Sequence, residues 1–232
     1  MEQKKLYRLS IHYVVLLTLF IPLTVLWFAL EVANIALHAD CEPDLKRFFG
    51  AYLLFALLYF LILLVLGIFN VIRSFQACQK QDLPLCLNAM LIHKYGLVPF
   101  FFINFIVSGL LSAAPVLISL IASRGAILFA FPVVLPGFLF WFAIPAFFTW
   151  LALIPGAFWG IQVIRLSRRQ GKFGTRAAML HMLLQFLFLI DVLDAMYLAV
   201  QTWGQGKKSS FLIAVLYLLL AAGIIAFFLY LP

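Results

Sequence analysis

Two carboxylates lie close together inside a long apolar segment in the last quarter of the sequence. Residues 177–200 are AAMLHMLLQFLFLIDVLDAMYLAV, and Asp191 and Asp194 are one helical turn apart within them. A carboxylate at bilayer depth costs about 2.5–3.5 kcal/mol on insertion scales, so such residues are retained for a functional or structural reason. Two nearby carboxylates in a low dielectric repel each other, so at least one is expected to hold a proton at neutral pH. The pair therefore predicts a proton or cation site.

The same segment carries a histidine and a glutamine nearer its predicted cytosolic end. His181 and Gln185 are four residues apart, so they share one face of a helix. A histidine titrates near neutral pH and can relay protons. On a continuous helix these two residues and the aspartates face different directions, so the four do not form a single line. A structural ion pair or hydrogen bond to a neighbouring helix is the alternative role for the aspartates.

Two polar residues outside this segment complete the candidate site. Asn104 lies within the predicted third span, and Arg124, at the outer end of that span, is expected to reach Asp194. The predicted ligand-binding or ion-binding residues are Asp191, Asp194, His181, Gln185, Asn104 and Arg124. Cys78, Cys86 and His93 have the wrong spacing for a structural zinc site, so neither a metal nor a cofactor is predicted.

The composition assigns the chain to a membrane. Apolar residues make up 66% of the chain and charged residues 10%, whereas a soluble domain carries about 25% charged residues. The net charge of +8 arises from short basic loops, which set topology, so nucleic acid is excluded as a partner. The sequence lacks the motifs of nucleotide hydrolysis, serine hydrolases, zinc proteases and dinucleotide binding, so no catalytic residue is predicted.

The predicted fold is an all-α polytopic transmembrane helical bundle, with residues 1–232 as a single integral membrane domain. Six crossings are predicted, at residues 11–34, 48–72, 95–122, 140–164, 177–200 and 211–231. With both termini in the cytosol, eleven of the 16 lysines and arginines are cytosolic and five are outside. Seven crossings would give eight on each side, so the charge bias favours six. The short loops favour the bacterial cytoplasmic (inner) membrane.

The region before the fourth span is expected to be irregular. Residues 125–164 carry no charge and contain Pro132, Pro136, Pro145 and Pro155. One straight helix of this length would measure about 60 Å, twice the hydrocarbon thickness. We therefore predict a proline-broken segment at residues 126–139 that is re-entrant or lies on the surface. Such broken helices often build substrate sites in transporters, and a kinked packing helix is the alternative.

The cytosolic connections also contain patterns. Asp82 followed by Pro84 predicts a helix start, and apolar residues on one face predict a short interfacial helix over residues 82–94. The residues NVIR at 70–73 resemble QVIR at 162–165, and AML recurs at 89–91 and 178–180. These matches predict a parallel two-helix repeat.

Three functional hypotheses follow from these residues. The first is a transporter or permease component that binds a cation, a proton or a small solute through its intramembrane carboxylates. The second is a non-catalytic assembly, anchoring or regulatory subunit, whose partners are the lipid bilayer and other membrane subunits. The third is an intramembrane lipid-modifying enzyme, which would require His181 and an aspartate to converge in a cavity open to lipid.

Overall fold

The computed structural model describes residues 7–37 and 45–230, and these residues form helices without strands. The last residue of the predicted sixth span lies outside the described part. The helices are α1 (Arg8–Leu37), α2 (Leu45–Gln79), α3 (Leu83–Gly96), α4 (Val98–Ala122), α5 (Ile127–Arg169), α6 (Thr175–Leu184), α7 (Ile190–Tyr197) and α8 (Lys207–Tyr230), with a π-helical turn at Leu198–Thr202. The predicted all-α class is confirmed.

Four stretches of the described chain are long and apolar enough to cross a membrane. They are Arg8–Leu37, Lys46–Gln79, Leu83–Leu110 and Ala143–Arg169. Each coincides with or overlaps one of the first four predicted spans, and together they indicate an integral membrane protein. The third stretch combines α3 with the first half of α4, because the single residue between them, Leu97, has helical dihedral angles.

Helix α5 differs from the prediction for the proline-rich region. It runs without interruption from Ile127 to Arg169 and contains all four prolines, so the predicted break at residues 126–139 is wrong. Each proline removes one backbone hydrogen bond, but a broken helix in lipid would expose several unpaired backbone groups. Continuing the helix therefore costs less. Its 43 residues measure about 64 Å, which exceeds the hydrocarbon thickness.

Where the sequence predicted one domain, the contacts divide the chain into two compact units. The first unit is Arg8–Asn70 with Gly96–Pro155. Its helices are joined by hydrogen bonds from side chains to backbone carbonyls, since Tyr13 Oη donates to Ala152 O at 3.2 Å and Tyr59 Oη donates to Leu16 O at 2.6 Å. Much of its apolar surface is exposed, as expected for helices that face lipid.

The second unit comprises Met1–Tyr7, Val71–Tyr95 and Gly156–Pro232. Its core is an apolar cluster that includes the fully buried Leu87 and Met90 of α3 together with Trp159 and other residues of α5. Helix α3 begins as predicted, because Leu85 N donates to Asp82 Oδ1 at 3.0 Å. Its apolar residues contact protein, however, and do not form a face exposed to the membrane surface.

The predicted repeat stays a prediction. The ends of α2 and α5 share one capping pattern, in which Asp82 N donates to Ala77 O and Lys172 N donates to Ser167 O, five residues back in each case. The end of α4 has the same pattern without belonging to the repeat, because Gly125 N donates to Leu120 O. The pattern is a general way to terminate a helix, so it does not distinguish a repeat.

A candidate ion site at a helix reversal

The predicted fifth span is not one helix. Helix α6 ends at Leu184 and α7 begins at Ile190, and Leu189 between them has a φ of +70°, which is rare for a residue other than glycine. His181 and Asp194 are hydrogen-bonded to each other, although thirteen residues of continuous helix would separate them by about 20 Å. The chain therefore reverses at residues 185–189. We call residues 175–202 the reversal hairpin.

A buried lysine holds the point of reversal. Lys94 Nζ donates to Asp191 Oδ2 at 2.7 Å and to the backbone carbonyl of Gln185 at 3.1 Å. The Lys94 side chain is 2% exposed and that of Asp191 is 1% exposed. Sequence reasoning counted Lys94 only as a topology charge and did not assign it to the site. The one available signal was its isolation, because no other lysine or arginine occurs between Lys80 and Arg124.

The two contacts of Lys94 match the polarity of the helix ends. Gln185 O lies at the C-terminal end of α6, where backbone carbonyls carry partial negative charge, and Asp191 lies in the first turn of α7, where the partial charge is positive. Removing two charges from water costs several kcal/mol per ion, and only good geometry with additional hydrogen bonds offsets this cost. Lys94 has a close ion pair with Asp191 and an additional hydrogen bond to Gln185 O. The reversal brings these two partners together, so the reversal and the ion pair depend on each other.

A second acid–base pair lies within the same hairpin. Asp194 Oδ1 is hydrogen-bonded to His181 Nδ1, and Gln185 Nε2 donates to Asp194 Oδ2 at 2.5 Å. Asp194 is buried, whereas the His181 side chain is 15% exposed and stacks on Tyr197 with 5.4 Å between ring centroids. The prediction that these residues face different directions assumed a continuous helix, whereas the chain reverses between them.

Glycines in α5 allow this helix to approach the site. A Cβ atom at Gly160 would lie 2.6 Å from Cδ of Gln185, and a Cβ atom at Gly156 would lie 3.0 Å from Cβ of His93. Contacts under 3.0 Å do not occur between real side chains, so only glycine fits at position 160 while Gln185 keeps its place. Small residues four positions apart permit close helix packing in membranes, and here they admit a polar side chain.

Two buried oxygens of the cluster have no hydrogen-bond partner among the described residues. They are Asp191 Oδ1 and Gln185 Oε1. A carboxylate or amide oxygen can accept a hydrogen bond or coordinate a cation, and a buried oxygen that does neither costs about 1–3 kcal/mol. Both oxygens belong to residues that Lys94 holds. They are therefore candidate ligands for a small cation, and Asp191 Oδ1 is also a candidate site for a proton.

The other two predicted site residues lie elsewhere. Asn104 is in the first unit, where its Nδ2 donates to Thr149 Oγ1 at 2.6 Å. Arg124 is exposed in the turn between α4 and α5. The two Asp194 oxygens are hydrogen-bonded to His181 and Gln185, and the expected pairing of Arg124 with Asp194 stays a prediction. The structure thus brings together four of the six predicted residues and adds Lys94.

Metal-binding side chains do not cluster in the described part of the chain. No three histidine, cysteine, aspartate or glutamate side chains of residues 7–37 and 45–230 come close enough to hold a metal ion. Cys78 and Cys86 are free thiols, and both are buried.

Comparison with known proteins gives a family. The family described as "Family of unknown function (DUF6652)" matches residues 10–205, which is well over half of the chain. The chain belongs to this family. The part matched by DUF6652 contains Lys94 and the whole reversal hairpin, and it ends before α8 begins. No curated protein and no solved structure matches this DUF6652 protein.

Proposed function

We propose that this membrane protein is a transporter or permease component that binds a proton or a small cation at Asp191. The observation that supports the proposal is the meeting of two helix ends at a buried ion pair, beside a carboxylate oxygen that has no hydrogen-bond partner among the described residues. Transporters build ion sites from interrupted helices of this kind, in which helix ends and freed backbone carbonyls face the ion. The bacterial cytoplasmic membrane is the proposed location.

Binding at Asp191 would change the contacts of Lys94. A proton on Asp191 neutralises the carboxylate and removes most of its attraction for the ammonium group, whereas a cation repels the ammonium group directly. Because Lys94 also holds the Gln185 carbonyl, either ligand weakens the contact at the tip of the reversal hairpin. Ligand binding is thereby coupled to movement of the hairpin.

The charged and titratable groups around the carboxylates come from three other elements. Helix α3 contributes His93 and Lys94, α6 contributes His181, and α8 contributes Tyr217, which lies within electrostatic range of Asp191. Among the four residues of the Lys94–Asp191 and His181–Asp194 pairs, His181 has the most exposed side chain. It is therefore the proposed entry point for a proton to Asp194.

The alternative functions receive less support from this geometry. A subunit that docks through its aspartates would need free carboxylates, but both aspartates have partners within the chain. Docking through other surfaces stays a prediction, and purification as a stable monomer in mild detergent would count against it. For a lipid-modifying enzyme, His181 does meet an aspartate, but its ring also packs against Phe173 and Tyr197, which are not nucleophiles of the serine or cysteine type.

Infrared difference spectroscopy of the protein in bilayers tests ion binding directly. Spectra between acidic and alkaline buffer are expected to contain the band of a protonated carboxyl group, and added Na⁺ is expected to alter it if Na⁺ competes with the proton. The Asp191→Asn/Asp194→Asn protein should lose this band. The Asp82→Asn protein should keep it, because Asn caps a helix as well as Asp and Asp82 lies outside the cluster. Identical spectra for the wild type and the double variant would refute the proposal.

A further inference from the structure

Contacts at the base of the reversal hairpin show where the chain returns. Trp203, just after the hairpin, donates from Nε1 to Ser167 Oγ at 2.9 Å, and Lys172 Nζ lies 5.6 Å from the centroid of the Trp203 ring. Ser167 and Lys172 flank Arg169, where α5 ends. The chain is therefore back at the end of α5 when the hairpin finishes, on the same side of the membrane. Between these points it crosses an even number of times.

The hairpin is too short to cross twice. Its 28 residues would measure about 42 Å even as uninterrupted helix, and two crossings of the hydrocarbon core require about 60 Å. It therefore does not cross at all. The hairpin and the residues at its base all belong to the second unit.

The lengths of the helices give the depth of the reversal. Helix α6 has ten residues and rises about 15 Å, half of the hydrocarbon thickness. Helix α3 rises about 18 Å from its start at Leu83 to Lys94, which contacts the point of reversal. Both helices start beside basic loops, which mark the cytosolic surface. The lengths of the two helices therefore place the tip at a similar depth below that surface.

The surface of the hairpin matches one leaflet of a bilayer. Around the tip, large apolar side chains are exposed, among them Leu183 at 65%, with Leu187, Phe188 and Leu193. At the base are five exposed cations, Arg165, Arg168, Arg169, Lys172 and Arg176. Acyl chains suit the apolar tip, and anionic headgroups attract the cations with about 1 kcal/mol each. The lipid of the cytosolic leaflet is therefore the partner that fits this surface.

Several backbone groups of the irregular tip form hydrogen bonds within the protein, where lipid offers none. Phe186 N donates to Leu183 O at 3.1 Å, Leu187 N donates to Leu184 O at 3.1 Å, and Asp191 N donates to Leu187 O at 2.9 Å. The carbonyl of Gln185 accepts from Lys94. Backbone that departs from a helix at membrane depth must have such partners in the protein.

We infer that residues 175–202 form a re-entrant hairpin that enters the membrane from the cytosolic side and returns to it, so that α8 begins in the cytosol and is the fifth crossing. Lys207 and Lys208 then move to the cytosolic side. In this arrangement twelve of the 16 lysines and arginines are cytosolic, Lys46, Arg47 and Arg124 are outside, and Lys94 lies within the membrane at the tip of the hairpin. This bias is stronger than the eleven to five of six crossings, as the positive-inside rule requires. Helix α8 then ends on the outer side, whereas a cytosolic C-terminus was predicted from the sequence.

Labelling of single introduced cysteines in sealed membrane vesicles tests the topology. Gln205→Cys is the test position, Gln170→Cys is the cytosolic reference and Ala126→Cys is the outer reference. All three residues are exposed and uncharged, so the substitutions leave the charge bias intact. The parent protein with its native cysteines gives the background for a membrane-impermeant maleimide. We expect Gln205→Cys to be labelled from the same side as Gln170→Cys, whereas labelling from the side of Ala126→Cys would overturn the inference.

A spin label distinguishes insertion into lipid from a position in the cytosol. At Leu187→Cys the label should be more accessible to oxygen, which concentrates in lipid, than to a water-soluble nickel complex. At Gln205→Cys the order should be reversed. Greater nickel accessibility at Leu187→Cys would show that the tip lies in water and would overturn the re-entrant assignment. Neither measurement depends on whether Asp191 binds an ion.

Discussion

Replacing Lys94 by methionine removes the charge at the reversal while keeping a side chain of similar length. The substitution leaves the Asp191 carboxylate buried without its counter-ion and deprives the Gln185 carbonyl of its side-chain donor. Breaking a buried ion pair by removing one partner costs about 3–5 kcal/mol, and the lost bond to the carbonyl is part of that cost. We expect Lys94→Met to lower the free energy of unfolding by about this amount, measured by SDS titration of the protein in mixed micelles.

Two matched variants make this measurement specific. Lys208→Met also removes a lysine, but Lys208 is exposed, so its effect should stay within about 0.5 kcal/mol. Lys94→Met/Asp191→Leu removes both charges, so it should recover at least about 2 kcal/mol relative to Lys94→Met alone. A cost below about 1 kcal/mol for Lys94→Met, or strictly additive effects in the double variant, would mean that the ion pair does not hold the reversal.

Two further substitutions test the packing and the capping around the site. Gly160→Ala should destabilise the protein by about 1–3 kcal/mol in the same titration, because the new methyl group would overlap with the Gln185 side chain. The control is Gly109→Ala, where nothing lies within 4 Å of the new methyl group, and it should stabilise the protein by about 0.5–1 kcal/mol. Equal effects of the two substitutions would contradict the close approach of Gly160 to Gln185. Asp82→Ala should cost about 1 kcal/mol through loss of the cap on Leu85 N, and a loss of the same size in Asp82→Asn would argue against capping as the cause.

Several features were predictable because they depend on local sequence. Composition and the length of the apolar segments determine an all-helical membrane protein, since a helix pairs every backbone group within its own segment. The start of α3 followed from Asp82 and Pro84, which act on the next turn only. Asp191 and Asp194 were recognisable as special from the cost of placing carboxylates among apolar residues alone.

The tertiary structure decided how those residues are used. Residues 177–200 have the length and hydropathy of a crossing, and nothing in their own sequence shows that Lys94, 97 positions before Asp191, binds the tip and stabilises a reversal. Hydropathy also does not show whether an apolar face contacts protein or lipid. For this reason α3 was expected at the membrane surface, whereas the structure covers it with protein. Both outcomes depend on contacts between residues far apart in the chain. A pattern along one segment contains no information about such contacts, so only the folded arrangement turned two separate pairs of polar residues into one cluster around Lys94.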